Sequence, residues 1–274
     1  MSGQPRVVVI AGPNGSGKST LTEILRADAA FGFPENYINA DDIARQTTAG
    51  NQLEREQSAF RQARALRQIY RENRQSFAFE TVFSHPSNLL DLLHLRQAGY
   101  EIMLIFVATS TPLINIGRVR ARVRAGGHDV PVDRIRNRYF RTLRLLARAV
   151  EIVTTAEIYD SSSRITLIGS ARNGIFTPRL SPLPEYYRTY LETPLRERAL
   201  ERDQLQQLAE GIDHPNETDE RYTGSLRALT NHYVLQQADD GRLILHERCQ
   251  IQAEIAEGDL VMLQYKDGYA TVES

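Results

Sequence analysis

The segment Gly12-Pro-Asn-Gly-Ser-Gly-Lys18-Ser19 constrains this chain more than any other. Glycines at 12, 15 and 17 open backbone conformations closed to other residues and let the chain approach a polyanion closely. Before it stands Arg6-Val-Val-Val-Ile-Ala11, a β-branched apolar run of the kind found in strands buried on both faces of a parallel sheet. After it, Ser19-Thr-Leu-Thr-Glu-Ile-Leu-Arg26 has helical apolar spacing. Strand, glycine-rich turn and helix in this order gather successive amides and a helix N-terminus into an anion cradle. Gly12, Pro13, Asn14, Gly15, Ser16, Gly17, Lys18, Ser19 and Thr20 are therefore the expected nucleotide-binding residues. Lys18 is placed to reach the β- and γ-phosphates, and the Ser19 hydroxyl to help hold Mg²⁺. At average residue frequencies, a chance match anywhere in the chain has odds of roughly one in a hundred.

The rest of the first two thirds alternates in the same way. Short strands are expected at Tyr37–Asn39, Ser76–Thr81, Tyr100–Ala108, around Glu157–Tyr159 and at Arg164–Ile168. Helices are expected at 52–73, 86–98, 113–124 and 132–149, the last two joined by Ala125-Gly-Gly-His-Asp-Val-Pro131. This alternation predicts an α/β fold, a doubly wound, mainly parallel sheet of P-loop type with a helical lid. After about residue 177 the texture changes: Pro178, Pro182 and Pro184 mark a surface segment, and 194–211 reads as a polar helix. Beyond 219 the pattern is all β, with Asp240-Gly241, Gly258-Asp259 and Asp267-Gly268 as turns. The expected organisation is a domain over 1–177, a connector with a helix over 178–218, and a small β barrel or half-barrel over 219–274.

Composition narrows the partners. A formal net charge of -1 argues against a general nucleic-acid binder. Cys249 is the single cysteine, so no intrachain disulfide can form. No apolar run approaches the roughly 20 residues of a membrane helix, so a cytoplasmic, soluble chain without membrane partner is expected.

A P-loop by itself serves ATPases, GTPases and kinases alike. Guanine-reading Asn-Lys-x-Asp signatures are absent, and the strand at 100–108 does not end in the acidic residue of a Walker-type ATPase. Arginines instead flank a Gly-Gly turn between two helices, as in the lid of a nucleotide-dependent kinase. ATP is the expected phosphoryl donor, with GTP as the alternative, and Mg²⁺ is the expected metal.

Several segments in order carry a resemblance: Ala11–Thr20, Ile38-Asn-Ala-Asp41, Phe77-Ala-Phe-Glu80-Thr81, Gly99-Tyr100, and Arg118-Val-x-x-Arg122-Val-x-x-Gly126-Gly-His-x-Val-Pro131. Arg138-Tyr139 and Tyr159-Asp160-Ser161 complete it. Over about residues 6–177 the chain resembles the zeta-toxin family of P-loop kinases, whose members phosphorylate a nucleotide-sugar hydroxyl, typically the 3′-hydroxyl of UDP-N-acetylglucosamine. The resemblance implies toxin activity restrained by an antitoxin protein. It also implies Asp41 as general base, consistent with a carboxylate at a strand's C-terminal end facing the substrate crevice. Asp42 is the rival, with capping of the next helix as its other role. By resemblance Glu80 and Thr81 grip the acceptor; the plainer reading of both is packing and capping at a strand end.

Transfer of a phosphoryl group spreads negative charge over its equatorial oxygens, which lid guanidiniums stabilise. Arg118 and Arg122, four apart on one helical face, are the candidates by resemblance together with Arg138. Arginines 120, 124, 134, 136, 141, 144 and 148 are expected on solvated faces, and His128 in a lid hydrogen bond. The family often ends its strand Asp-Asn-Ser, where this chain has Asp160-Ser161-Ser162.

The tail, through Tyr222-Thr-Gly224, Tyr233-Val-Leu-Gln236 and Gly258-Asp259, resembles small β modules of the KfrB type in plasmid-maintenance proteins. It is either a structural appendage or a cis-regulator standing in for a separate antitoxin. Two other readings of the whole chain stay open: a kinase for another small hydroxyl compound (nucleoside, dinucleotide or antibiotic), and a non-catalytic nucleotide-binding switch.

Overall fold

The computed structural model describes residues 3–46, 51–126, 129–208 and 210–273. The chain forms two compact units, one of 1–84 with 92–187 and a second of 85–91 with 188–274, so that the helix Ser87–Gln97 is shared between them and is described with the first.

The first unit opens with β1 (Arg6–Ala11), α1 (Lys18–Ala27), β2 (Asn36–Ile38), α2 (Ala40–Gln46) and α3 (Gln52–Glu72). It continues through β3 (Phe77–Thr81), α4 (Ser87–Gln97), β4 (Glu101–Ala108), α5 (Pro112–Arg124), α6 (Val132–Arg144) and α7 (Leu146–Ile152). It ends with β5 (Thr155–Asp160), β6 (Thr166–Arg172), β7 (Ile175–Pro178) and the single turn α8 (Glu185–Tyr187). The described strands form one sheet in the order β2-β3-β1-β4-β5-β6-β7. The first five run parallel, while β6 and β7 add an antiparallel edge. The expectation of a mainly parallel α/β sheet is met.

Central β1 is sealed on both faces: Val7, Val8, Val9, Ile10 and Ala11 are fully buried. Burying each large side chain contributes roughly 1.5–3 kcal/mol, which accounts for the unbroken apolar run. Because β3 lies on one side of β1 and β4 on the other, the connections leave in opposite directions and open a crevice at the strands' C-terminal ends.

Two expectations needed correction. The helix predicted over 132–149 is two helices broken at Leu145, and β7 carried no recognised signal. Arg148, expected on a solvated face, is only 7% exposed within α7. The lid turn's Gly127 and His128 lie outside the described residues.

The second unit holds a single π-helical turn (Arg188–Glu192), α9 (Thr193–Leu208), β8 (Ile212–Asp213), β9 (Arg221–Leu229), β10 (Tyr233–Ala238), β11 (Leu243–Glu247), β12 (Leu260–Lys266) and β13 (Tyr269–Glu273). These strands form a sheet ordered β13-β12-β9-β10-β11-β8, antiparallel except for the β8–β11 pair. At Gly224 a Cβ would lie 2.0 Å from the Gln237 carbonyl oxygen, so the β9–β10 approach requires glycine. His246 is buried, with Nε2 3.0 Å from Gln236 Oε1 and Nδ1 2.9 Å from Tyr265 Oη. Burial pushes its pKa down to about 3, so the neutral ring donates to Gln236 and accepts from Tyr265.

Arg198 of α9 is likewise buried, forked onto Glu247 at 2.8 and 2.9 Å and stacked 4.9 Å from the Tyr233 ring centre. Replacing Arg198 by Ala removes both bonds of this fork from the Glu247 carboxylate in a largely buried site. The expected loss is about 3–5 kcal/mol, visible in calorimetry as a lowered melting transition. Arg198→Lys should recover little of it, since an ammonium cannot form the two-pronged contact. An unchanged transition in Arg198→Ala would refute this account.

Candidate active site

The P-loop closes tightly on the strands behind it. A Cβ at Gly12 (φ 154°) would stand 2.1 Å from the Val107 carbonyl oxygen, and one at Gly15 (φ 75°) 2.7 Å from that of Asn115. The loop is pinned from three sides. Asn115 Nδ2, on buried α5 surface, donates to the Asn14 carbonyl at 2.7 Å; Ser161 Oγ donates to the Ser16 carbonyl at 2.5 Å. The Gly12 amide donates to the Thr81 carbonyl at 3.3 Å. Pro13, Gly17, Ser19 and Thr20 complete the turn and the start of α1.

Lys18 Nζ donates to the Gly12 and Pro13 carbonyls at 2.8 and 3.1 Å, which lays the ammonium along the loop. Burial pulls its pKa below the ordinary lysine value; Glu80 and Asp41 push it back up, and Arg122 and Arg138 add to the lowering. All four groups are therefore within electrostatic reach of the ammonium. They arrive from four different elements: β3, α2, α5 and α6.

Glu80, at the C-terminal end of β3, is the most heavily bonded of them. Its Oε1 accepts from Thr22 Oγ1 and Tyr37 Oη, each at 2.7 Å, and its Oε2 accepts from Ser19 Oγ at 3.3 Å. Glu80 thus stands at the end of the strand on the other side of β1 from β4. Ser19 with Glu80 offers hard oxygen donors of the kind Mg²⁺ prefers beside phosphates, so the residues present fit that ion. Among the described residues no cluster of three or more His, Cys, Asp or Glu could hold a metal alone.

Asp41 sits exposed in the first turn of α2, its amide donating to Asn39 Oδ1 at 2.9 Å. The helix start is therefore tied by Asn39. Asp42, expected as the capping side chain, instead pairs with Arg45. The Thr81 hydroxyl accepts the Phe83 amide at 3.1 Å, so it fastens the turn after β3.

The arginines separate. Arg138 is half-buried, its Nη1 3.4 Å from Asn14 Oδ1, and burial together with nearby Arg134 lowers its pKa, against Glu56 and Asp41. Arg122 is exposed and within electrostatic reach of Lys18. Arg118, one turn earlier, donates to the Ser161 hydroxyl at 3.1 Å and to its carbonyl at 2.5 Å, which commits its guanidinium to the end of β5. Of the pair, Arg122 is the one within electrostatic reach of Lys18. Asn115, Ser161, Tyr37, Asn39 and Thr22 were not singled out in the sequence as site residues. For Asn39, the Ile38-Asn-Ala-Asp41 motif held the signal.

A parallel sheet with a pinned P-loop and an acid on the neighbouring strand defines a P-loop phosphotransferase architecture. The Zeta toxin family model matches residues 1–173, and the chain belongs to the zeta toxin family of P-loop kinases. Residues 221–274 match the KfrB Domain model. An uncharacterized Haemophilus influenzae protein is 29% identical over 136 residues, spanning 50% of this chain and 94% of the relative. Among solved structures, the AvrRxo1-ORF1:AvrRxo1-ORF2 complex with ATP aligns with a TM-score of 0.52 at 14% identity, covering 68% of this chain and 63% of that one. This chain thus spans less than two thirds of that neighbour. The PezAT toxin-antitoxin system of Streptococcus pneumoniae gives a TM-score of 0.48 at 16% identity, covering 76% and 89%. No helix among the described residues is long and apolar enough to cross a membrane.

Proposed function

We propose that the chain transfers the γ-phosphoryl group of ATP to a hydroxyl of a small molecule, a nucleotide sugar such as UDP-N-acetylglucosamine, and acts as a toxin. The observation that carries this reading is Glu80 bonded to Ser19, Thr22 and Tyr37 beside the P-loop, with Asp41 at the start of α2 and Arg138 reaching Asn14 of the loop. A mere nucleotide-binding switch has no need of an exposed carboxylate and lid guanidiniums beside its loop.

In this reading the P-loop amides from Gly12 to Thr20 cradle the phosphates, and Lys18 leaves its carbonyl partners for the β- and γ-phosphate oxygens. Asp41 accepts the acceptor hydroxyl's proton. The acceptor oxygen bonds to the γ-phosphorus as the bond from that phosphorus to the bridging β–γ oxygen breaks, and ADP departs with those electrons. Arg122 and Arg138 stabilise charge on the equatorial oxygens, while Arg118 holds the loop's rear wall through Ser161. Mg²⁺, when bound at Ser19 and Glu80, would neutralise part of the phosphate charge. Thr81 and Glu80 border the acceptor.

The family's pairing with antitoxins extends to this chain as a proposal, with residues 219–274 as a separate module and candidate cis-regulator. Incubating the full chain with Mg²⁺-ATP and a panel of sugar nucleotides, nucleosides, dinucleotides and antibiotics tests the acceptor. The expected result is a gain of one phosphoryl mass on UDP-N-acetylglucosamine. Product only on a nucleoside, dinucleotide or antibiotic would reject the acceptor class but keep the reaction.

A further inference from the structure

Two side chains link the Glu80 carboxylate to the backbone of Asp41. Tyr37 Oη donates to Glu80 Oε1 at 2.7 Å, and Asn39 Nδ2 donates to the same tyrosine oxygen at 3.2 Å. Asn39 Oδ1 then accepts the Asp41 amide at 2.9 Å. The bonds run unbroken from the backbone of Asp41 to the carboxylate beside Ser19.

The direction of each bond is dictated by its neighbour. An ionised carboxylate can only accept, so the Tyr37 hydroxyl gives its hydrogen to Glu80 and offers a lone pair to the Asn39 amide nitrogen. That leaves the Asn39 carbonyl oxygen for the Asp41 N–H, and a flipped amide would lose both bonds. Burial and the Glu80 charge raise the Tyr37 pKa, which keeps the hydroxyl a donor. Thr22 shares Oε1, so Oε2 is the oxygen left toward Ser19. Asp41 itself is exposed on a seven-residue helix, and its amide bond to Asn39 is what ties it back to the sheet. A misplacement of about 1 Å at such a group can cost on the order of 100-fold in rate.

We propose that Tyr37 and Asn39 are positioning residues that join Glu80 and Asp41 into one relay, so that the loop-side and acceptor-side carboxylates keep a fixed separation. The inference rests on the kinase reading above, with Asp41 as base.

The test compares the full-length wild type with Tyr37→Phe, Asn39→Ala, Glu80→Gln and the Tyr37→Phe/Glu80→Gln double variant. Each is assayed with Mg²⁺-ATP, using UDP-N-acetylglucosamine as acceptor and, separately, water in slow ATP hydrolysis. Tyr37→Phe is expected to lower kcat about tenfold while KM for ATP and acceptor stays within about twofold. Asn39→Ala should do the same. In the Glu80→Gln background, Tyr37→Phe should cost less than about twofold more, because its effect passes through Glu80. Unchanged kcat with only a lowered melting temperature, or full multiplicative losses in both backgrounds, would overturn the relay and leave the kinase reading intact. A wild type that turns over water alone rejects the sugar nucleotide but still decides the relay on hydrolysis. A wild type inert in both assays would reject the kinase reading and the relay together.

Discussion

Asp41→Asn is expected to lower the rate of phosphoryl transfer by roughly 10²–10⁴-fold while nucleotide affinity stays within about twofold. Asparagine keeps the shape of the side chain, and the amide bond to Asn39 is made by the backbone, so the start of α2 should survive. What disappears is the acceptor for the hydroxyl proton. Among the described residues Asp41 makes no hydrogen bond to the P-loop, and its influence on Lys18 is electrostatic and secondary to that of Glu80. Binding of ATP by calorimetry and single-turnover transfer on the same preparation separate the two effects. A variant that loses nucleotide affinity in step with rate would take the base assignment away from Asp41.

Lys18→Ala should damage both quantities. The ammonium lies within the loop, already aligned by the Gly12 and Pro13 carbonyls, and removing it deletes a charge-assisted donor aimed at the phosphates. A rate loss of roughly 10²–10³-fold, with clearly weakened ATP binding, is the expected outcome. The pinning bonds from Asn115 and Ser161 do not involve Lys18, so the melting temperature should barely change. Retained ATP affinity in this variant would show that the loop holds nucleotide by amides alone.

Both residues stand in segments that the sequence marks, Lys18 in the P-loop spacing and Asp41 in the Ile38-Asn-Ala-Asp41 motif of the resemblance. The P-loop spacing and the buried run at 6–11 dictate strand, turn and helix with little help from the rest of the chain, and the parallel sheet follows from alternation. The antiparallel β6–β7 edge was less legible, since Ile175–Pro178 is too short and too exposed to carry a period. Arg148 misled for a related reason: it lies in an arginine-rich stretch, and only the packing of α7 shows that it turns inward.

The site's supporting bonds were the least legible. Ser161 and Ser16 are separated by 145 positions and Asn115 and Asn14 by 101, and no spacing rule links such residues. The same holds for Tyr37 and Glu80, which meet because β2 and β3 are parallel neighbours with Ile38 beside Phe79. Where the family often has Asp-Asn-Ser, this chain has Asp160-Ser161-Ser162. In the fold, buried Ser161 ties the loop carbonyl and the Arg118 guanidinium together. Short polar residues at strand ends are common, and only their three-dimensional partners distinguish a tie from a turn.

The most direct measurement follows the γ-phosphoryl group of ATP by mass spectrometry in a single turnover, with wild type and Asp41→Asn run side by side on the best small hydroxyl acceptor. The account predicts that wild type forms phosphorylated acceptor and ADP in equal amounts, while Asp41→Asn binds ATP and forms almost none of either. ADP without phosphorylated acceptor in the wild type, or equal transfer by both proteins, would contradict it.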